Sequence, residues 1–455
     1  MKKHRLYLWM TGCMVFLLSS CFDDDNDMND VNLSNCQITS FSLQNDSIPG
    51  LSSVKFTIDQ VNGLIFNKDS MPYGTVIDRK VVCEIAYAES TVTPSAVEVY
   101  QEATKDSAYW NNTDSLDFSQ FVRFIVYSLD GKTYKHYTAQ LNIHQQHPDS
   151  MTWTLSAGRL PGENIREQKV IASGDYYWMY VQGADGYELY KSPRTDPANW
   201  TAKPLTGLSG KTFMLSQMTE YGDILYLPAS DGSLYVSVDG AYWSLEKEAP
   251  EIKALLGKLD AGEQTNRPSA LAAIIKDGDT WLFASMNSDL LWEKGAAVPG
   301  VFPITGFGNT SYELMYYQHL MIVAGKDRSG RLSNATWETM DGRSWVRMTA
   351  ESNSFYEERE GVMLTPYDDR LFMIGGIDAS NTAIKDIYLS EDKGVTWHLA
   401  DSLTVLPEAC RARGYGSVLV DEEHFILLFG GKESTNANCL DELWNGRINR
   451  LGFRE

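Results

Sequence analysis

A short turn-like segment that recurs in the second half of the chain constrains the fold more than any other feature. Its fullest copy, SEDKGVTW, covers 390–397, and shorter copies end at Trp243 (SVDGAYW) and Trp345 (TMDGRSW). Asp and Ser side chains accept hydrogen bonds from backbone N–H groups in tight turns, and Gly supplies a positive φ. Thr then re-enters a strand, and Trp packs against a neighbouring element. We therefore predict a repeated structural turn built by Ser390, Asp392, Gly394, Thr396, Trp397, Asp239, Trp243, Asp341 and Trp345.

The spacing of these turns predicts the size of the repeat. A degenerate copy, SPRTDPANW, ends at Trp200, which is 43 residues before Trp243, and Trp345 is 52 residues before Trp397. Four-stranded propeller blades have about this length. The gap between Trp243 and Trp345 is twice as long, and TWLFASMNSDLLWEKG (280–295) fills it with an atypical blade.

A last blade follows Trp397, so the count is six, and we predict a six-bladed β-propeller over residues 149–455. Two strands could close its ring. INRLGF (448–453) could complete the last blade itself, or MTWTL (151–155) could be borrowed from the start of the domain.

The segment at 390–397 matches the pattern S-x-D-x-G-x-T-W at every position, and the chain therefore resembles the Asp-box β-propellers, which include sialidases. The glycine pairs in FGG (429–431) and MIGG (373–376) resemble those of kelch repeats. The resemblance implies that each Asp-box lies between the third and fourth strands of a blade. It also implies that ligands meet the opposite face, around the central channel.

The first 34 residues read as a secretion signal followed by a tether. Residues 1–20 have a basic start and a short apolar run, which is typical of a signal peptide. LSSC (18–21) resembles a lipobox, which implies lipidation of Cys21; the alternative is an ordinary signal peptide with an accidental cysteine. The acidic residues 21–34 resemble the export signal of Bacteroidetes surface lipoproteins. We expect a lipid-anchored protein on the outer face of the outer membrane, since no later apolar run is long enough to span a bilayer.

Residues 35–148 contain several short strands without helical periodicity, which is typical of an immunoglobulin-like sandwich. A signal, a sandwich and a propeller in this order resemble a family of Bacteroidetes-type surface lipoproteins with a kelch or Asp-box propeller. The family resemblance brings no activity with it. The fold class we expect is all-β throughout.

Four arginines are the first candidates for ligand binding. An alignment of the predicted first strands places Arg166, Arg267, Arg359 and Arg413 at nearly the same position, and Asn309 takes that position in the fourth blade. A ring of guanidinium groups at the channel mouth would bind carboxylate, sulfate or phosphate. The alternative is that each arginine braces neighbouring blades through carbonyl oxygens or carboxylates.

A sialidase-like enzyme is a second hypothesis. The resemblance would require a Tyr–Glu nucleophile pair, for which Tyr415 and Glu360 are the candidates, and an acid/base aspartate that the sequence does not provide. GRLPG (158–162) matches the R-I-P signature of sialidases only in Arg159 and Pro161. We therefore include Glu360 and Tyr415 among the ligand-binding residues and expect no catalysis.

The cysteines, the histidines and the net charge bear on disulfides, metal sites and nucleic-acid binding. A disulfide between Cys410 and Cys439 is plausible in an oxidising compartment, and one between Cys36 and Cys83 is an option. The seven histidines are scattered, and we expect neither a metal nor a cofactor. The net charge of −21 disfavours nucleic acid as a partner.

The function we predict is binding of a glycan, acidic glycans included, or of a surface protein. The alternatives are a sialidase-like or sugar-epimerase-like enzyme and a structural component of a surface assembly.

Overall fold

The computed structural model describes residues 33–78, 80–88, 93–261, 268–349 and 354–452, and the lipidation site predicted at Cys21 lies outside them. The described residues fall into two compact units, one ending at His147 and one beginning at Pro148. Both are built from β-strands, with only short turns of 3-10 helix among the described residues. None of the described helices is long and apolar enough to cross a membrane.

The described part of the first unit contains nine strands and one 3-10 helix, Leu51–Ser53. The strands are β1 (Ile38–Gln44), β2 (Phe56–Asp59), β3 (Leu64–Asn67), β4 (Val81–Tyr87), β5 (Ala96–Gln101), β6 (Asp106–Tyr109), β7 (Ser115–Leu116), β8 (Val122–Tyr127) and β9 (Tyr134–Gln140). They form a sheet in the order β1-β4-β7 and a second sheet in the order β2-β3-β9-β8-β5-β6. β3 and β9 are parallel, and the other neighbours are antiparallel.

The two sheets of the first unit share one hydrophobic core. In β8, Val122, Phe124 and Val126 are buried while Arg123 is exposed, the period of two that a half-buried strand requires. The buried side chains pack in the same core as Phe41 of β1, which belongs to the other sheet. The first unit is therefore a two-layer β-structure.

The described part of the second unit contains twenty-six strands and the 3-10 helices Leu215–Gln217 and Asn449–Gly452. The strands are β10 (Met151–Leu155), β11 (Glu167–Ser173), β12 (Tyr176–Gln182), β13 (Tyr187–Pro193), β14 (Thr201–Lys203), β15 (Thr219–Tyr221), β16 (Ile224–Pro228), β17 (Leu234–Ser237), β18 (Ser244–Leu245), β19 (Ile252–Leu259), β20 (Ala270–Asp277), β21 (Thr280–Asn287), β22 (Trp292–Ala297), β23 (Gly308–Leu314), β24 (Tyr317–Val323), β25 (Thr336–Thr339), β26 (Val346–Arg347), β27 (Arg359–Glu360), β28 (Met363–Tyr367), β29 (Arg370–Ile374), β30 (Ile377–Asp378), β31 (Ile387–Ser390), β32 (His398–Leu399), β33 (Ser417–Val420), β34 (Ile426–Phe429) and β35 (Leu443–Ile448).

Most of these strands form six four-stranded antiparallel sheets, which we number one to six in chain order. Sheets one to four are β11–β14, β15–β18, β19–β22 and β23–β26, and sheet five is β28-β29-β31-β32 with the small β27-β30 pair beside it. Sheet six is β33-β34-β35-β10, so its fourth strand comes from the start of the unit. Met151 of that strand lies opposite Ile448 and Leu155 opposite Trp444. Of the two closing strands considered, the structure uses MTWTL.

Each sheet is covered on both faces, which explains its continuous apolar strands. In β34, Ile426 and Leu428 point into a core shared with sheet five, while Leu427 and Phe429 point into a core shared with sheet one. Equivalent cores join sheets one and two, two and three, three and four, and four and five. The six sheets therefore pack in a closed ring, held by hydrophobic burial between neighbours.

The residues of the predicted Asp-boxes lie in turns between the third and fourth strands of their sheets. In the turn between β31 and β32, the Asp392 carboxylate accepts hydrogen bonds from the Thr396 N–H at 2.8 Å and the Ser390 hydroxyl at 2.9 Å. Gly394 has φ +89°. Trp397 is buried and donates from Nε1 to the Thr336 hydroxyl of sheet four at 3.1 Å.

Two other sheets repeat this turn. Asp239 accepts from the N–H groups of Ala241 and Tyr242 beside the buried Trp243, and Asp341 accepts from those of Arg343 and Ser344 beside Trp345, which packs on Phe302. Because consecutive strands are antiparallel, these turns lie on the face opposite to the one where the first strands begin.

Candidate functional site

A small polar pocket lies where the first strands of the second unit begin. Its volume is about 200 Å³. It is lined by Glu167, Gln168, Ser216, Lys326, Glu360, Tyr415, Lys432 and Thr435. We call it the mouth pocket, because it shares Gln168, Ser216 and Tyr415 with a deeper cavity of about 390 Å³ between the first strands of all six sheets, which we call the channel.

The backbone at Tyr415 is unusual. Gly306, Gly361 and Tyr415 each lie two residues before the first strand of their sheets, with φ values of +61°, +68° and +57°. The Tyr415 N–H donates to the Gly361 carbonyl at 2.7 Å, and the Gly361 N–H donates to the Gly306 carbonyl at 2.6 Å. Sheet six therefore places a bulky aromatic residue where sheets four and five have glycine, in a conformation that costs a non-glycine residue on the order of 1–3 kcal/mol.

The neighbouring glycines make room for the tyrosine side chain. A Cβ atom on Gly361 would lie 2.5 Å from a Tyr415 ring carbon, and one on Gly306 would lie 2.8 Å from the Tyr415 hydroxyl oxygen. Both distances are too short for any side chain. The position of Tyr415 therefore depends on glycine in the two preceding sheets.

A polar chain of three side chains crosses the pocket. The Tyr415 hydroxyl donates to the carboxylate of Glu360, and the Lys326 ammonium forms an ion pair with the same carboxylate. Burial, followed by the negative charge of Glu360, raises the pKa of the Tyr415 hydroxyl well above its usual value. The phenol therefore stays protonated and acts as a hydrogen-bond donor.

The mouth pocket lining also carries polar atoms without partners among the described residues. Oε2 of Glu167 and Nε2 of Gln168 are buried and have no hydrogen-bond partner among the described residues. Burial raises the pKa of the Glu167 carboxyl, while the Lys432 ammonium and the Leu215 N–H partly oppose the shift. The Lys432 ammonium lies 5.9 Å from the centre of the Tyr415 ring. Buried polar atoms normally find partners, so these two atoms have hydrogen-bonding capacity left for a polar ligand or water.

The predicted arginine ring is not an open site in the described structure. Arg359 and Arg413 are 2% and 0% exposed. Arg359 donates from Nε to the Glu357 carbonyl at 3.1 Å, and its guanidinium lies over the rings of Tyr356 and Tyr388. These contacts brace the fold.

Arg413 braces the last sheet in the same way. Its Nε donates to the Arg411 carbonyl at 3.0 Å, its Nη1 to the Gly430 carbonyl at 2.8 Å, and its Nη2 to the Glu442 carboxylate at 2.6 Å. No donor of this side chain is directed into the mouth pocket, whose lining does not include Arg413.

The other two arginines do not complete a ring. Arg166 is exposed and is not part of the mouth pocket lining. Arg267 lies outside the described residues, and the strand that follows it, β20, is the second strand of sheet three. The alignment on that strand was therefore wrong, because β19 is the first. Asn309 braces sheet three by donating to the Leu256 carbonyl at 2.7 Å.

Cys410 and Cys439 are free in the structure and do not form the predicted disulfide. Cys410 belongs to the core between sheets five and six, whereas Cys439 packs against the core between sheets six and one. The sheet between them separates the two thiols. Cys36 and Cys83 are also free, and the described residues contain no cluster that could hold a metal ion.

Sequence reasoning found Glu360 and Tyr415 but missed both lysines of the pocket. Lys326 and Lys432 follow the second strands of sheets four and six at equivalent positions, in VAGK (323–326) and FGGK (429–432). The Gly-Lys pair that the two segments share is visible in the sequence. It indicates a site only together with the structure, in which Lys432 pairs with Gly414 and Lys326 with Thr305, and both lysines lie at the mouth.

A larger groove of about 630 Å³ lies at the Asp-box turn of sheet four. Its charged groups already have partners: Arg343 pairs with Glu293, and Glu338 with His319. The mouth pocket, with unpaired donors and acceptors, is the better candidate for a polar ligand.

Comparison with known proteins places both units in one family. The DUF6242 beta propeller domain matches residues 147–455, and the DUF6242 N-terminal domain matches residues 31–141. Among solved structures, one titled "Structure of YjhT" is 14% identical, with a TM-score of 0.45, and the match covers 63% of this chain and 96% of that one. No curated protein matches the chain.

Proposed function

The chain belongs to the DUF6242 family, and from the geometry of its propeller domain we propose that it binds a sugar, preferentially an acidic one, in the mouth pocket. The observation that carries this proposal is the pair of unpartnered buried atoms, Glu167 Oε2 and Gln168 Nε2, beside the Tyr415 ring. A sugar presents hydroxyl groups that donate and accept at the same time, so it can satisfy both atoms.

The composition of the pocket favours a sugar over other small polar molecules. Its volume of about 200 Å³ is below the roughly 300–1,000 Å³ of pockets for drug-sized ligands. It therefore fits one sugar unit at the end of a glycan. The Tyr415 ring offers an aromatic surface, and Lys432 adds a cation without an ion-pair partner among the described residues. This cation favours ligands that carry a negative charge.

The proposal is tested by titration calorimetry of the full chain with a panel of neutral and acidic monosaccharides. Lys432→Met should weaken binding by about 1.5–3 kcal/mol, the usual range for a charge-assisted hydrogen bond. Lys294→Met is the matched control, because Lys294 forms an exposed ion pair with Asp277 outside the pocket. Binding that survives Lys432→Met unchanged, or no binding to any sugar, would contradict the proposal.

A second candidate function is catalysis on the same sugar. It is favoured by the hydrogen bond from Tyr415 to Glu360, the pair that a sialidase-like enzyme uses as nucleophile and base, and by the raised pKa of Glu167. Two carboxyl groups in different environments suit acid–base chemistry. Two parts are missing from the mouth pocket lining: open arginines for a sugar carboxylate and an acid/base aspartate. Hydrolysis of an aryl glycoside or epimerisation of a sugar, lost in Tyr415→Phe, would support this function over binding alone.

We also propose that the six sheets are the blades of a six-bladed propeller and that the first unit is an immunoglobulin-like sandwich. The closed ring of six inter-sheet cores supports the first proposal. The shared core of two facing sheets supports the second.

The location of the protein is a further part of the proposed function. We propose that Cys21 carries a lipid that holds the propeller on the outer face of the outer membrane. Cys21→Ser should then move the protein from the detergent phase to the aqueous phase in a phase-partitioning assay. Equal partitioning of the two forms would remove the basis for the anchor.

A further inference from the structure

A second cation lies deeper than the mouth pocket, in the channel. Lys169 follows Gln168 by one residue on β11, the first strand of sheet one, and it belongs to the channel lining. The channel and the mouth pocket are adjacent, because Gln168, Ser216 and Tyr415 line both of them. A ligand in the mouth pocket can therefore extend a group toward Lys169.

Lys169 differs from Lys326 and Lys258 because it has no counter-ion among the described residues. Among the described residues, none forms a hydrogen bond or an ion pair with its ammonium group. By contrast, Lys326 pairs with Glu360 at the mouth, and Lys258, which also lines the channel, pairs with Asp260 at 3.2 Å. Burial lowers the pKa of the Lys169 ammonium, and no charge among the described residues opposes that shift.

An ammonium group in this position is costly to the folded protein. Removing a charge from water without a partner is unfavourable, and an anion brought by a ligand offsets that penalty. Lys432 has less to gain from an anion, because it already faces the Tyr415 ring and acts on the Glu167 carboxyl.

We propose that Lys169 binds the acidic group of the sugar, so that the ligand lies with its carboxylate in the channel and its hydroxyl groups at the mouth. This inference rests on the proposed function and adds the orientation of the ligand and the residue that selects acidic sugars. Lys169 is then the residue that binds the carboxylate. Glu167 and Gln168 bind hydroxyl groups that neutral and acidic sugars share, and Lys432 adds positive charge at the mouth.

The test compares pairs of ligands in which a carboxylate is replaced by a neutral group. N-acetylneuraminic acid is paired with its methyl ester, and glucuronic acid is paired with glucose. Calorimetric affinities are measured for the full-length wild type, for Lys169→Met and for the control Lys294→Met. In Lys169→Met, the affinity for the acids should fall roughly 10- to 100-fold, as expected for a charge-assisted contact, while the neutral partners change less than about twofold.

Each outcome separates this inference from the proposed function. If Lys169→Met still binds sugars with an unchanged preference for acids, the inference is overturned and the mouth pocket remains a sugar site. If the wild type binds none of the four sugars, the proposed function fails and the inference fails with it.

The melting temperature of Lys169→Met shows whether a loss of affinity comes from unfolding of the variant. Because methionine has a similar length and removes an unpaired charge, the melting temperature of Lys169→Met should equal or exceed that of the wild type. A clear decrease in melting temperature would show that Lys169 has a structural partner and would overturn its role as a free cation.

Discussion

Replacement of Glu442 with glutamine should destabilise the propeller domain strongly, although Glu442 lies outside the mouth pocket. The Arg413 side chain is completely buried, and the Glu442 carboxylate, whose side chain is 18% exposed, is its ionic partner. Arg411 and Trp444 also donate hydrogen bonds to this carboxylate, at 2.7 Å and 3.0 Å. Glutamine keeps the shape but leaves a buried guanidinium without a counter-charge, and its amide N–H₂ faces donors instead of accepting from them.

The expected cost is about 3–5 kcal/mol, the range for removing one partner of a buried ion pair. The assay is urea unfolding of the full-length protein, followed through the propeller transition. Asp441→Asn is the matched control at the preceding residue, because Asp441 pairs with Arg159 on the surface, where the side chains are 40% and 85% exposed. Such an exposed pair contributes at most about 1 kcal/mol.

The same pair predicts how stability depends on pH. Burial alone would raise the pKa of Glu442, but hydrogen bonds from Trp444, Arg413 and Arg411 outweigh it and hold the pKa at about 2. A depressed pKa in the folded state contributes stability above the ordinary value of 4.5, and this contribution is lost as the pH falls toward 2. The difference in stability between wild type and Glu442→Gln should therefore shrink between about pH 5 and pH 2.

Two results would refute this reasoning. A cost of Glu442→Gln no larger than that of Asp441→Asn would mean that Arg413 needs no buried partner. A loss of sugar affinity at unchanged stability would mean that Arg413 and Glu442 act on the ligand and do not brace the fold.

Three further predictions concern other parts of the propeller. Gly361→Ala should cost about 1–3 kcal/mol in urea unfolding and weaken sugar binding, because its methyl group would overlap the Tyr415 ring; unchanged affinity would contradict the role of this ring. Trp397→Ala should lower the free energy of unfolding by about 3–5 kcal/mol and leave sugar affinity unchanged in the folded fraction. Cys410 and Cys439 should both react with a thiol reagent in urea without reductant, and a mass that shows them joined would contradict the structure.

Local hydrogen bonding explains why the Asp-box turns could be predicted from sequence. The Asp392 carboxylate accepts a hydrogen bond from the Thr396 N–H four residues later. Both partners therefore belong to the same short sequence motif, and the motif alone predicts the contact. The same holds for the alternation of buried and exposed residues in β8. Contacts of this kind need no knowledge of the rest of the fold.

The first strand of sheet three could not be found in this way. β19 is buried on both faces, so IKALLGKL shows no alternation, and no Asp-box marks the end of its sheet. The alignment of first strands therefore used β20 in place of β19, and it assigned Arg267 to the wrong strand. A continuous apolar run in a propeller has the same appearance as any other buried segment.

The direction of the arginine side chains also depends on distant residues. The spacing of Arg359 and Arg413 fits both a ligand site and a brace. Arg413 acts as a brace because it binds the Gly430 carbonyl and the Glu442 carboxylate, which lie 17 and 29 residues away in sequence. The mouth pocket also depends on contacts between residues that are distant in sequence, since Glu360 and Tyr415 are 55 residues apart.

A crystal structure of the full-length protein soaked with N-acetylneuraminic acid or glucuronic acid tests the central claim most directly. The account predicts sugar density in the mouth pocket, with hydroxyl groups within about 3.2 Å of Glu167 Oε2 and Gln168 Nε2 and the carboxylate directed toward Lys169. Sugar density in the groove at the Asp-box turn of sheet four, with an empty mouth pocket, would contradict it.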